Sequence, residues 1–202
     1  MAGLDLPFAC NCGEIRGFLL GVSPGNGNRV DCYCGDCRAA VTFACGADAD
    51  ADVPVYLYQT TSSRIRFDKG QDQLAVFSLS AKGVLRWHAR CCGAMLFNTL
   101  RNPKLAFAAF FTDRTPDAAP LGPVKTRANV QDGGGKSHHE GLAHAILSLA
   151  RNAIPARVRG TWKTTPFFDP VTLEPVSEIY VLNKKERAAA TARSGQNPSG
   201  HT

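Results

Sequence analysis

Seven of the eight cysteines fall into three short groups, and their spacing is the chemistry this chain offers first. Cys10-Asn11-Cys12-Gly13 sets two thiols two residues apart, followed by a glycine that lets the backbone turn so that both sulfurs face one ion. Twenty residues after Cys12 comes Cys32-Tyr33-Cys34-Gly35-Asp36-Cys37, three thiols within six residues, just before a helical turn expected over Arg38 to Ala44. Thiolates around zinc must converge at about 2.3 Å from the metal, and tight local turns achieve this at small entropic cost. Soft sulfur donors without haem or iron–sulfur spacing favour Zn²⁺ over harder cations.

Counting donors separates two centres. Cys32, Cys34 and Cys37 supply three ligands, which leaves the fourth position of a tetrahedral zinc for water or substrate. Cys10 and Cys12 need partners from elsewhere, and Cys91-Cys92-Gly93 is the cysteine source beyond Cys45. Such a closed site staples the N-terminus to the middle of the chain and makes metal binding part of folding. Two zinc ions per chain are expected, held by Cys10, Cys12, Cys91 and Cys92 and by Cys32, Cys34 and Cys37. Neighbouring strand residues point to opposite faces, so Cys91 and Cys92 reach one ion together only if the backbone turns at Gly93. If the strand stays regular, Cys92 alone, or His88 with Cys91, completes that site. Cys45 stands apart and reads as a small packed hydrophobe. Arg38 reads either as a solvated residue or as a cation that offsets the three thiolates and holds a substrate carboxylate. No carboxylate or histidine stands out as a general base.

The elements that must position these thiols read as mainly β. Short β-rich runs cover Val53 to Tyr58, Ile65 to Phe67, Leu74 to Leu79, Val84 to Ala89 and Leu105 to Phe111, separated by turn residues such as Lys69-Gly70 and Lys82-Gly83. Leu85, Trp87 and Ala89 alternate with Arg86, His88 and Arg90, the pattern of a half-buried strand. The expected fold is a small antiparallel β-sandwich-like zinc domain over residues 1–115, with a C-terminal helix packed on it. A Pro/Gly-rich connection is expected over 116–136, including Gly133 to Gly135. A helix follows in 137–183, begun by Ser137 and Glu140 in capping-box spacing and stopped at Pro155. Its face of Leu142, Ile146, Leu149 and Ala153 is expected to pack on the β core, with His138 and His139 exposed in its first turn. Residues 188–202 read as a disordered tail.

With 44% hydrophobic residues in 202, the chain can bury an ordinary core without disulfides. The start from Met1 to Cys10 has neither a basic nor an apolar leader region, so a cytoplasmic location is expected, where thiols stay reduced. The longest apolar runs fall far below the roughly 20 residues of a membrane-spanning helix. The net charge of +6 is scattered, and its densest cluster, Lys184 to Arg187, reads as a solvated terminus. Neither nucleic acid nor membrane is an expected partner.

The order C-x-C-G, then C-x-C-x-x-C-R, then cysteine and glycine after a later strand resembles the glutathione-dependent formaldehyde-activating enzyme family, which includes centromere protein V. The likeness covers Phe8 to Phe97. It implies a β-rich domain with two zinc sites, Cys10 and Cys12 in the structural one. Cys32, Cys34 and Cys37 would form the catalytic one, near which a glutathione adduct binds. Where that family has C-x-x-C-G this chain has Ala89-Arg90-Cys91-Cys92-Gly93, and only Cys92-Gly93 fits without a shift. Arg86-Trp87-His88, Asn98-Thr99, Arg159-Gly160 and Pro166-Phe167-Phe168-Asp169 look like a bacterial branch of the family. The activity implied is a zinc-dependent carbon–sulfur lyase acting on a small thiol adduct of the glutathione type. Two other readings stand beside it, a non-catalytic zinc-stabilised scaffold and redox sensing by Cys91 and Cys92.

Overall fold

The computed structural model describes residues 3–46, 48, 50, 52–132 and 136–194. Its strands are β1 (Leu4–Ala9), β2 (Arg16–Val22), β3 (Asn28–Cys32), β4 (Val55–Thr61), β5 (Ile65–Lys69), β6 (Leu74–Ser78), β7 (Leu85–Ala89), β8 (Met95–Thr99), β9 (Phe107–Phe111), β10 (Val124–Gln131), β11 (Ser137–Glu140) and β12 (Ile179–Val181). The α-helices are α1 (Gly35–Cys45), α2 (Leu142–Val158) and α3 (Lys184–Arg193). Strands β1, β2 and β5 form a small antiparallel sheet. The other nine form one large sheet in the order β11-β10-β3-β4-β9-β8-β7-β6-β12, antiparallel except where β10 meets β3 and β12 meets β6.

The fold is mainly β and sandwich-like, because the two sheets share one core. Phe8, Ile15 and Leu19 from the small sheet and its turn pack with Trp87, Phe97 and Phe110 of the large one. Phe97 sits at the centre, with ring centroids 5.2 Å from Phe8, 5.4 Å from Phe110 and 5.3 Å from Phe167. The stretch from Pro166 to Asp169 thereby gains a structural role, since Phe167 and Phe168 close this core over Trp87. A second core joins Leu57, Phe77, Met95 and Phe111 to Ala39 and Ala40 of α1 and Ala190 of α3. Strand β7 therefore separates two cores, and Arg86, expected on a solvated face, is only 6% exposed.

The C-terminal half departs most from the sequence reading. The boundary at 115 falls between β9 and β10, two strands of the same large sheet, and β10 takes up 124–131 of the stretch expected as a connection; Gly133 to Gly135 lie outside the described residues. Its apolar pattern is weak because a key inward residue is polar: Thr126 is buried and hydrogen-bonds Asn28 of β3 (3.1 Å). Ser137 to Glu140 form the strand β11 rather than a capped first turn. Glu140 pairs with Arg127 across the hairpin (3.6 Å), and α2 begins only behind Gly141, whose φ of 69° suits glycine. Pro155 does not stop α2, which continues to Val158. The helix does pack on the sheet, beside β3, β4 and β10, and Ala156 is buried with Ala106 and Trp162, but Leu142, Ile146 and Leu149 are exposed rather than buried. Residues 188–193, expected in a disordered tail, belong to α3, which an Asn183–Glu186 capping box starts; residues 195–202 lie outside the described residues. No described helix is long and apolar enough to cross a membrane.

Candidate metal centres

The first centre gathers four sulfurs from two distant turns. Just beyond β1 the chain reverses, with Gly13 N–H donating to Cys10 C=O and Cys10 N–H to Ile15 C=O, both at 3.0 Å. The Ile15 N–H then donates to Cys10 Sγ at 3.2 Å, which orients the sulfur. After β7, the N–H groups of Cys92 (3.3 Å) and Gly93 (2.8 Å) both donate to Ala89 C=O. This turn takes Cys91 and Cys92 off the strand, so neighbouring thiols face the same way. Gly93 enables it with φ 70°, and a Cβ there would lie 2.2 Å from Ala44 C=O. Cys12 Sγ is 3.5 Å from Cys10 Sγ and 3.3 Å from Cys91 Sγ, and Cys10 and Cys91 are 3.8 Å apart. All four sulfurs lie within 4.8 Å of one another.

The second centre is local. Cys32 ends β3, Cys34 caps α1, and Cys37 lies in its first turn, so one strand-to-helix corner presents three sulfurs. Cys32 Sγ is 3.3 Å from Cys34 Sγ and 3.6 Å from Cys37 Sγ. The Cys37 N–H donates to Cys34 Sγ at 3.3 Å, in the place where a serine or aspartate would cap a helix. The N-terminal end of α1 favours negative charge on these sulfurs. Among the described residues no further Cys, His, Asp or Glu joins the three.

Four 2.3 Å bonds to sulfur around a tetrahedral ion set the sulfurs about 3.8 Å apart. The separations in both groups sit near that edge length, so each group has the donors and spacing to hold a metal ion. Without a cation, thiolates this close repel and must share protons. Proton-sharing with Cys32 and then Cys34 holds Cys37 well below the usual thiol range, with Arg86 adding to the effect, while Cys32 is pushed far up. In the first centre burial works against the Cys92 thiolate, but the N–H groups of Ala94 and Cys12 outweigh it and bring Cys92 down to about 7.

Residues 3–162 match the family of unknown function DUF6151. The chain belongs to that family. No curated protein matches it. A crystal structure of a Rhodobacter sphaeroides protein is similar, with 20% identity and a TM-score of 0.41 over 59% of this chain and 97% of that one.

Not every candidate joined a centre. His88, the reserve ligand, does not join the first group and packs edge-on against Phe77 at 5.4 Å, where burial lowers its pKa. Cys45 is exposed rather than packed, its Sγ 3.4 Å from Gly93 C=O. Arg38 is neither solvated nor free for a carboxylate. It is 3% exposed, and its Nη1 donates to Tyr33 C=O at 2.7 Å, bracing the loop between Cys32 and Cys37. His138 and His139 are exposed as expected, but on β11 rather than in a helix.

Arg86 is the functional residue that the alternation pattern missed. Its Nη1 lies 3.5 Å from Cys37 Sγ. Burial opposes its charge, yet the neighbouring Cys37 more than compensates and raises its pKa further. The clue in the sequence was indirect: a three-thiolate group wants a cation, and the strand carries an arginine on the face opposite Trp87.

Proposed function

We propose that this protein is a zinc-dependent enzyme of the carbon–sulfur lyase type, acting on a small thiol adduct such as one of glutathione at Cys32, Cys34 and Cys37. Cys10, Cys12, Cys91 and Cys92 would hold a second, structural zinc. The observation that carries the reading is the unequal donor count, four sulfurs in one group and three in the other among the described residues. All-sulfur donor sets suit zinc, and reduced thiols suit the cytoplasm. The two N-terminal motifs resemble those of the glutathione-dependent formaldehyde-activating enzymes, which supports the substrate class.

Zinc held by three thiolates would supply a coordination position at which a substrate sulfur or hydroxyl is bound and polarised. The protein's own part is electrostatic. Three thiolates around a divalent ion leave net negative charge, which discourages an anionic substrate sulfur. Arg86 offsets that charge from within the core, and the N-terminus of α1 adds partial positive charge. Cys34 is the least buried of the three and marks the side from which a substrate approaches. Arg38 holds the loop carrying it.

A non-catalytic scaffold is the second reading, favoured by the burial of Cys32 and Cys37, which are 7% and 6% exposed. Elemental analysis, X-ray absorption and an exchange assay distinguish the two. The lyase reading expects about two zincs per wild-type chain and about one in Cys34→Ser, with average coordination between three and four sulfurs. It also expects wild type, and not Cys34→Ser, to accelerate exchange between glutathione and its formaldehyde adduct. Four sulfurs at both zincs, or no acceleration, would favour the scaffold.

A further inference from the structure

Helix α2 is turned inside out. Its sheet-facing side consists of small or polar residues, among them Ala145, Ser148, Asn152 and the buried Ala156. Asn152 satisfies itself on Ser148 C=O at 2.8 Å, and His144 leaves a buried Nε2 with no hydrogen-bond partner. The aliphatic side faces outward instead. Ile146, Leu147 and Ile154 are each 61% exposed and Val158 is 81% exposed. At 3.6 residues per turn Leu147, Ile154 and Val158 lie on one side of the helix, with Arg151 between Leu147 and Ile154 and Arg157 along one edge. Exposed aliphatic side chains gathered on one side of a water-facing helix, with arginines among them, mark an interaction surface.

Charge identifies what this surface fits. From Gly141 to Phe168 the chain has no aspartate or glutamate, and it has Arg151, Arg157, Arg159 and Lys163, all exposed. None of these four makes an ion pair among the described residues; Arg157 and Lys163 instead lie over the Trp162 ring, at 5.5 and 5.7 Å. At the N-terminal end of the helix the acidic side chains are engaged, Glu140 by Arg127 and Asp132 by His138. We propose that the outward face of α2 docks on an anionic lipid bilayer surface. The aliphatic side chains enter the boundary between headgroups and acyl chains, and the arginines among them extend to the phosphates. A second copy of the chain fits less well, because a two-fold contact through this face would set one cationic rim against another. Nucleic acid would use the cations but leave the aliphatic centre in water. This surface is independent of the metal centres.

The test is co-sedimentation of the full chain with vesicles of phosphatidylcholine containing about 30% phosphatidylserine, and with vesicles of phosphatidylcholine alone. The chain pellets with the anionic vesicles and not with the neutral ones. Leu147→Glu with Ile154→Glu weakens that binding at least about tenfold, and so does Arg151→Glu with Lys163→Glu. Metal content and circular dichroism stay unchanged, since all four side chains are exposed. The proposal is overturned by absence of pelleting, by equal pelleting with both vesicles, or by binding that neither double variant alters. It is equally overturned if the lipid-free chain is a dimer that Leu147→Glu with Ile154→Glu splits, which would assign the face to a second copy, or if the face retains DNA and not vesicles.

Discussion

The two cysteine groups differ in where their sulfurs come from, and the roles proposed for them rest on that difference. The first joins Cys10 and Cys12 to Cys91 and Cys92, residues some eighty positions apart, on a surface where Cys12 and Cys91 are exposed. An ion there closes a long loop and ties the small sheet to the end of β7, so its binding energy is folding energy. The second draws all three sulfurs from one corner of six residues at the start of α1, with Cys32 and Cys37 buried and Arg86 set against Cys37. An ion there closes almost nothing. Its binding energy is available for chemistry, because the corner is already built by β3 and by the cap of α1.

The largest expected effect tests that contrast directly. Removing the first centre with Cys10→Ser abolishes the cooperative thermal transition, since zinc binding on the order of 10 kcal/mol contributes to folding at such sites. Cys34→Ser keeps a cooperative transition and loses one metal. If both variants unfold alike, the division of roles is wrong. Next in size is Gly93→Ala, which forces a side chain into the left-handed region and against Ala44 C=O; chemical denaturation should show a loss of about 1–3 kcal/mol. That substitution also misplaces Cys91 and Cys92, so metal is lost from the first centre alone.

A third variant sharpens the electrostatic side. Arg86→Met keeps most of the side-chain volume but removes the cation beside Cys37, and chelator competition should show metal affinity falling roughly 10- to 100-fold at the second centre only. Unchanged affinity would reduce Arg86 to packing. The smallest effect is expected from His88→Phe. Burial lowers the His88 pKa, so the folded chain binds fewer protons than the unfolded one once pH falls below about 6.5. Stability is therefore present above that pH and is lost as pH falls through it. The phenylalanine variant flattens this slope in denaturation curves between pH 5 and pH 7, and it leaves metal content unchanged because His88 is not a ligand.

Much of the first half of the chain was legible because its signals are local. Cys32, Cys34 and Cys37 converge within one corner, and Leu85, Trp87 and Ala89 alternate in a strand whose inner face is continuous. The second half misled for a physical reason in each case. Thr126 hides an inward position behind a polar side chain that Asn28 satisfies, and Ser137 to Glu140 match a helix cap yet pair better as a hairpin edge. In α2 the period was right and the direction wrong, because amphipathicity shows that a stripe exists and not which way it turns.

By itself the sequence determined which thiols travel together, that the fold is mainly β, and that a helix begins beside the three-cysteine motif, since each follows from spacing within a few residues. The tertiary structure alone decided that Cys91 and Cys92 leave their strand together, that Arg86 rather than Arg38 faces the thiolates, and that α2 turns its aliphatic side outward. Those outcomes depend on contacts between segments distant along the chain: Gly93 against α1, β7 against the Cys37 turn, and a sheet surface that accepts the small side of a helix.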